Sequence, residues 1–189
     1  DCSKTHNNIA LAYKQIGLLS ASAKHLKNAI KLNSAFAEAY NNYGNVLAEQ
    51  ANMAAAKSSY LRSIELDPDN ASAMWNLHST CNDIDSAKQI LEMCLEKDSG
   101  YEPAVYSLAT INALKGNTKF LDWILTTEVA SESTLRSISW ILSLPSIPRL
   151  EFNRWRVFDF AIESSHKDRA FYEFGVWMGE SFRYLEPHF

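Results

Sequence analysis

Residues 37–68 read AEAYNNYGNVLAEQANMAAAKSSYLRSIELDP, and this stretch decides the fold. The same pattern of small and large apolar residues occurs 34 residues earlier, when Ser3 is aligned with Ala37. The equivalent pairs are Ile9 and Tyr43, Ala10 and Gly44, Tyr13 and Leu47, Ser22 and Ala56, Leu26 and Tyr60, Ala29 and Ser63, Ile30 and Ile64, and Leu32 and Leu66. A fixed period of this length is typical of stacked helical hairpins. The sequence therefore predicts a repeat protein built from paired helices.

Each repeat is predicted to contain two helices, A and B, joined by a tight turn. The expected helices of repeats one and two are residues 3–16, 19–32, 37–50 and 53–66. Gly17 stands at the first turn. After the last of these helices, Pro68 cannot continue the helix, and Asn70 can accept a hydrogen bond from the free amides of the next one.

Two further repeats and a closing helix follow. Repeat three starts at Ala71 and is three residues shorter; we expect the loss in the turn at residues 82–85, with Cys81 still in helix A. Repeat four starts near Glu102. Residues 131–144 carry apolar side chains on one side at helical spacing, so this segment is expected to cap the array.

Over residues 3–130 the chain resembles the tetratricopeptide repeat family. The resemblance implies an α-solenoid of about four helical hairpins plus a capping helix, with helix A of each repeat on the inner wall of a concave groove. It also implies a protein or peptide ligand in that groove. The residues expected to face it are Asn7, Asn8, Leu11, Lys14, Asn41, Asn42, Asn45, Glu49, Trp75, Asn76 and Ser79.

Three of these asparagines, Asn8, Asn42 and Asn76, recur every 34 residues. A side-chain amide offers a donor and an acceptor, so a row of them can pair with successive peptide groups of an extended chain. This row resembles the asparagine ladder in the repeats of O-linked N-acetylglucosamine transferases. The alternative is that the three amides sustain hydrogen bonds between helices. The sequence leaves both interpretations open.

Composition narrows the other possibilities. A net charge of −4 gives no electrostatic reason to expect a nucleic-acid or anionic-membrane partner. Cys2, Cys81 and Cys94 have no paired spacing, which favours reduced thiols and a cytoplasmic location. Cys81 and Cys94 are expected to pack as small apolar groups, and we expect no metal site, because no further Cys or His stands at zinc-ligand spacing.

A domain boundary is predicted near residue 145. Pro145 and Pro148 end the preceding helix, and five of the seven arginines lie beyond it, whereas ten of the eleven lysines lie before it. We therefore divide the chain into a repeat domain at 1–144, a proline-containing linker at 145–150 and a separate segment at 151–189.

Residues 169–185 read RAFYEFGVWMGESFRYL. Residues 170–176 are aromatic and β-branched, which indicates a buried strand. Gly175, near the end of this run, and Gly179 after it would let the backbone turn and approach a ligand closely, and Ser181 would start the next helix.

This segment resembles the first motif of class I S-adenosylmethionine-dependent methyltransferases, in the variant found in macrolide-sugar O-methyltransferases. The resemblance implies that Glu173, Gly175, Gly179 and Ser181 help to bind S-adenosylmethionine in the full-length parent. The expected fold is thus mainly α: a tetratricopeptide solenoid followed by the truncated start of an α/β Rossmann-like domain.

We expect the chain to be an inactive, peptide-binding piece of a longer methyltransferase. Two alternatives remain open. The parent could be a scaffold with no catalysis, or the repeats could be fused to a glycosyltransferase or sulfotransferase.

Overall fold

The computed structural model describes residues 2–115 and 117. The helices in this part of the chain are α1 (Cys2–Gln15), α2 (Leu19–Leu32), α3 (Ala37–Glu49), α4 (Met53–Leu66), α5 (Ala71–His78), α6 (Ile84–Lys97) and α7 (Glu102–Leu114). The second helix of repeat four, the capping helix at 131–144, the linker at 145–150 and the segment at 151–189 all lie outside the described residues.

The helix ends follow the sequence-based prediction closely in repeats one and two. Helices α2 and α4 begin and end as expected, and α1 and α3 differ from prediction by one residue at one or both ends. Gly17 in the first turn has a φ of 74°. The side chain of Asn70 accepts a hydrogen bond from the Ala73 amide at the start of α5, so the predicted cap is confirmed.

The helices form antiparallel hairpins that stack in one direction. Helices α1 and α2, α3 and α4, and α5 and α6 form the hairpins, and each B helix packs on the next A helix. The A helices also contact one another, α1 with α3 and α3 with α5. The result is two layers, with α1, α3 and α5 in the A layer and α2, α4 and α6 in the B layer.

One side-chain bond between the two layers recurs in repeats two and three. Ser63 Oγ on α4 donates to the Ala37 carbonyl at the start of α3, at 2.8 Å. Cys94 Sγ on α6 donates to the Ala71 carbonyl at the start of α5, at 3.2 Å. Hydroxyl and thiol thus occupy the same repeat position, and burial raises the pKa of the Cys94 thiol to about 11, which keeps the donor protonated.

Repeat three departs from the prediction in its first helix. Helix α5 has 8 residues, whereas α3 has 13, and Cys81 lies in the turn after α5. The expectation that Cys81 stays in helix A was wrong. The hydroxyls of Ser79 and Thr80 donate to the carbonyls of Asn76 and Leu77, both at 2.7 Å. The amides of the same two residues also donate to these carbonyls, three residues back, so the helix ends in a tightened turn. Cys81 is nevertheless buried in the cluster that contains Cys94, as expected.

Within the described residues, no helix combines the length and the apolar character that crossing a membrane requires.

Candidate functional site

The A helices of repeats one and two are joined by a buried asparagine. Asn7 on α1 is 1% exposed. Its Nδ2 donates to Glu38 Oε1 at 2.9 Å, and its Oδ1 accepts from Asn42 Nδ2 at 2.9 Å. Glu38 and Asn42 are four residues apart on α3, so they lie on one face of that helix. Asn7 therefore bridges α1 to two consecutive turns of α3.

The same arrangement occurs between repeats two and three. Asn41, also buried, accepts from Asn76 Nδ2 at 2.9 Å. Its own Nδ2 reaches Ser72 Oγ at 3.5 Å, a longer and weaker contact. The pattern of the first bridge is repeated one hairpin further along, with a serine in place of the glutamate.

An ion pair continues the row of contacts between α1 and α3. Lys14 Nζ lies 2.8 Å from Glu49 Oε1, with both side chains partly exposed. An exposed pair of this kind stabilises by about 0–1 kcal/mol, so its main role is to fix the relative position of the two helices.

These contacts decide part of the question left open by the sequence. Asn42 and Asn76 do form hydrogen bonds between helices, which supports the structural interpretation for both. Each of these hydrogen bonds uses one N–H of an asparagine side chain, which has two N–H groups and one carbonyl. Asn8 is exposed on α1. Within the described part of the chain, the three side chains therefore keep hydrogen-bonding groups that no bond between helices uses.

The side chain of Asn45 is positioned by a hydrogen bond from a buried tyrosine. Its Oδ1 accepts from the Tyr60 hydroxyl at 2.9 Å. Burial, with a smaller effect of Glu49, raises the pKa of Tyr60 well above its usual value, so the hydroxyl remains a donor at physiological pH. The two N–H groups of Asn45 are not used by this bond.

Trp75 takes the place of Asn7 and Asn41 in repeat three. Its ring packs against His78 and Tyr101, with centroids 5.6 and 6.4 Å apart. Its indole Nε1 is buried and has no hydrogen-bond partner within the described part of the chain. The carboxamide bridges between A helices thus give way to an aromatic cluster at repeat three.

Sequence reasoning missed Glu38, Ser72 and Tyr60 as partners of the groove residues. It compared residues 34 apart, which are equivalent but do not touch. The contacts between neighbouring A helices join residues 31 and 35 apart, whereas the contact of Tyr60 with Asn45, within repeat two, joins residues 15 apart. The first two offsets differ by one helical turn and would have identified the partners on neighbouring A helices.

The predicted cofactor-binding residues Glu173, Gly175, Gly179 and Ser181 lie outside the described residues. Cys2, Cys81 and Cys94 are free thiols. Among the described side chains there is no group of three or more His, Cys, Asp or Glu that could hold a metal ion.

Stacked hairpins with an A layer, a B layer and a repeated register define a helical solenoid. Residues 3–36 and 37–70 each match the tetratricopeptide repeat family, so repeats one and two are tetratricopeptide repeats. Tetratricopeptide repeat protein 7B of Mus musculus and that of Homo sapiens are each 38% identical to this chain over 64 residues. The match covers 34% of this chain and 8% of each relative, so it concerns a small part of those proteins.

Solved structures of the same fold extend beyond these two repeats. A thermophilic TPR protein of Thermus thermophilus has a TM-score of 0.58 at 15% identity and covers 97% of both chains. An O-GlcNAc transferase mutant of Thermobaculum terrenum has a TM-score of 0.58 at 21% identity, covering 66% of this chain and 26% of that one. MamA has a TM-score of 0.56 at 20% identity, covering 73% and 77%. At such identities the likeness establishes the solenoid fold.

Proposed function

We propose that the A layer binds an extended segment of a partner protein or peptide. The observation that carries this proposal is the set of incompletely used carboxamides on α3 and α5. Among residues 2–115 and 117, Asn42 and Asn76 each keep one N–H and a carbonyl, and Asn45 keeps both N–H groups. Because such groups can pair with any peptide unit, this surface suits a ligand recognised by its backbone.

The distance between neighbouring A helices also sets the spacing of their contacts along a bound peptide. Packed helix axes lie about 8–10 Å apart. An extended chain advances about 3.3 Å per residue, so neighbouring A helices are roughly three residues apart along a bound peptide. Contacts from Asn42 and Asn76 should therefore fall on peptide groups about three residues apart, with freely variable side chains between them.

The experiment must separate ligand binding from the structural role of the same residues. Asn42→Ala removes both the hydrogen bond to Asn7 and any contact with a ligand. Asn7→Ala removes the same hydrogen bond but leaves the side-chain amide of Asn42 in place, so it is the matched control. Asn8→Ala alters an exposed side chain and tests binding alone.

The probe is a set of peptides selected from a random-sequence display library on the 189-residue chain. By calorimetric titration, we expect Asn42→Ala and Asn76→Ala to weaken binding by about 0.5–1.5 kcal/mol each, as for the loss of one hydrogen bond. Asn7→Ala should bind within about two-fold of the parent. Equal losses in Asn7→Ala and Asn42→Ala, or hydrogen-exchange protection confined to the B layer, would refute the proposal.

For the full-length parent we propose a methyltransferase fused to these repeats. Its support is the order of four residues in and after the aromatic, β-branched run at 170–176. They are Glu173, Gly175, Gly179 and Ser181. The test is calorimetric titration of S-adenosylmethionine into a chain extended through the complete downstream domain, with Gly179→Val as the inactive control. An extended domain that folds and gives no heat of binding would leave a protein-binding scaffold or a different transferase.

A further inference from the structure

A cleft in the B layer lies between α2 and α4, on the side of α3 that faces them. Its volume is ≈ 350 Å³. The side chains that line it are Lys27, Ile30, Lys31, Tyr40, Tyr43, Ser58, Ser59 and Arg62. We call it the α2–α4 cleft. Its volume is at the small end of the range for ligand pockets, enough for one or two side chains of a peptide.

The lining combines positive charge with aromatic walls. Lys27 Nζ lies 5.8 Å from the centroid of the Tyr43 ring, and the Arg62 guanidinium carbon lies 6.0 Å from that of Tyr40. Arg62 also pairs with the exposed Glu65 at 2.8 Å. Three of the lining side chains are cationic and none is acidic, although the whole chain carries a net charge of −4.

The next repeat shows that this charge is not required by the fold. One repeat further along, between α4 and α6, Leu61, Glu65 and Met93 occupy the positions of Lys27, Lys31 and Arg62. Met74 and Leu77 replace the two tyrosines. The equivalent positions of the next repeat thus carry apolar side chains and one carboxylate in place of the three cations. Leu61 and Met93 are 43% and 45% exposed there.

We propose that the α2–α4 cleft binds an acidic peptide segment in which an apolar side chain lies beside the carboxylates. The cations supply charge complementarity to the carboxylates, while Ile30 and the tyrosine rings offer the apolar walls that an inorganic anion would not need. The site is lined by α2, α4 and the tyrosines of α3, whereas the proposed groove uses the asparagines of the A layer. The two surfaces can therefore be occupied together and tested separately.

The probe is an N-acetylated, C-amidated pentapeptide, Glu-Glu-Phe-Glu-Glu, titrated into the isotopically labelled 189-residue chain and followed by amide chemical shifts. Shifts should concentrate on α2, α4 and the first half of α3. Two control peptides separate the contributions: Gln-Gln-Phe-Gln-Gln lacks the charge, and Glu-Glu-Ala-Glu-Glu lacks the large apolar side chain. Both should bind more weakly than the probe.

The two double-lysine variants are matched in the charge that they remove. Lys27→Gln combined with Lys31→Gln removes two lining charges and should weaken binding by about five- to ten-fold, as for two partly exposed ion pairs. Lys24→Gln combined with Lys57→Gln removes two exposed charges that do not line the cleft, and should stay within about two-fold. Tyr43→Leu, which copies Leu77, should weaken binding of the probe more than that of the alanine peptide.

Five results would overturn the proposal, and the first four concern the probes and variants. They are equal losses in the two lysine pairs, equal binding of the glutamine peptide, the same shifts with inorganic phosphate alone, and shifts confined to the A layer. Shifts that grow with protein concentration in the absence of peptide would assign the cleft to a second copy of the chain and would also overturn it.

Discussion

Repeats one and two follow the same backbone path but pack their helices with side chains of different size. In repeat one, Ala10 on helix A and Leu26 on helix B are both fully buried in one cluster. In repeat two the equivalent residues are Gly44 and Tyr60. A Cβ placed on Gly44 would lie 2.4 Å from Cε1 of Tyr60. The large side chain of Tyr60 fits because Gly44, on the A helix facing it, has no side chain. The two pairs thus fill a similar total volume but divide it differently between the helices.

The turns of the two repeats differ in a similar way. Gly17 and Ala51 occupy the same position, with φ of 74° and 60°. Both turns have the same two bonds. Leu18 and Gly17 donate to the carbonyls of Tyr13 and Lys14, and the equivalent amides of repeat two donate to the equivalent carbonyls. This is a Schellman ending, which favours glycine at the left-handed position. Repeat two reaches the same geometry with alanine, at a cost in backbone strain.

Repeat three has a third type of residue at the position where helix A packs against helix B. His78 stands where Gly44 and Ala10 stand in the earlier repeats, and α5 ends there. His78 is buried and its ring nitrogen Nδ1 bonds to the Trp75 carbonyl. Because a carbonyl can only accept, Nδ1 carries the proton. A large residue at this position thus coincides with a shorter helix.

The largest effect is expected for Gly44→Leu. The Tyr60 ring is 2% exposed and its hydroxyl is held by Asn45, so it cannot move aside. Overpacking costs typically about 1–3 kcal/mol, and the severe overlap here places Gly44→Leu at about 3 kcal/mol or more. Urea denaturation followed by far-ultraviolet circular dichroism measures the change. Ala12→Leu on the exposed side of α1 is the control and should lie within about 0.5 kcal/mol of the parent. Equal stability of Gly44→Leu and the parent would mean that the register of the repeats is wrong.

The next effect is a coupling between Gly44 and Tyr60. Gly44→Ala overlaps the tyrosine ring, and Tyr60→Leu leaves a cavity and removes the bond to Asn45. Together the two changes reproduce the pair Ala10 and Leu26 of repeat one. A double-mutant cycle should therefore show the double variant more stable than the sum of the single changes predicts, by about 1–2 kcal/mol. Simple additivity would show that the two positions do not share one packing site.

The sequence predicted the hairpins and turns of repeats one and two, because both the apolar period and the turn residues act locally. It also placed the asparagines of the expected groove on helices α1, α3 and α5, but Ser79 lies just past the end of α5. It did not predict that Asn7 is buried, since this depends on how neighbouring A helices are offset by one turn. The early end of α5 was missed for a related reason. The hydroxyls of Ser79 and Thr80 bond to carbonyls three residues back where the buried His78 ends α5, and the 34-residue period does not show this.

A pH dependence should distinguish repeat three from the other two. Burial lowers the pKa of His78 below its ordinary value of 6.5, an effect partly offset by the bond to the Trp75 carbonyl. As pH falls through 6.5, the unfolded chain takes up a proton that the folded chain does not, so the free energy of unfolding decreases. The decrease stops once pH is below the pKa of the folded state.

His78→Asn keeps an N–H donor for the Trp75 carbonyl and removes the titration. Between about pH 7.5 and about pH 5.5, the parent should lose more stability than His78→Asn, and every other titrating group is common to both chains. Parallel losses would exclude His78 as the source of the pH dependence.

The smallest expected effect is a gain in stability from Ala51→Gly. The left-handed conformation costs a residue with a Cβ about 1–2 kcal/mol, and glycine gives back part of this through its freedom in the unfolded chain. The two Schellman bonds of the turn are made by backbone groups and stay in place. We therefore expect Ala51→Gly to raise the free energy of unfolding by about 0.5–1 kcal/mol, or roughly 1–4 °C in Tm for a chain of this size. The reverse change, Gly17→Ala, should lower stability by a similar amount, because it introduces into repeat one the strain that repeat two already carries. If Ala51→Gly is neutral while Gly17→Ala destabilises, the two turns differ in their surroundings, and the equivalence of repeats one and two would be limited to their helices.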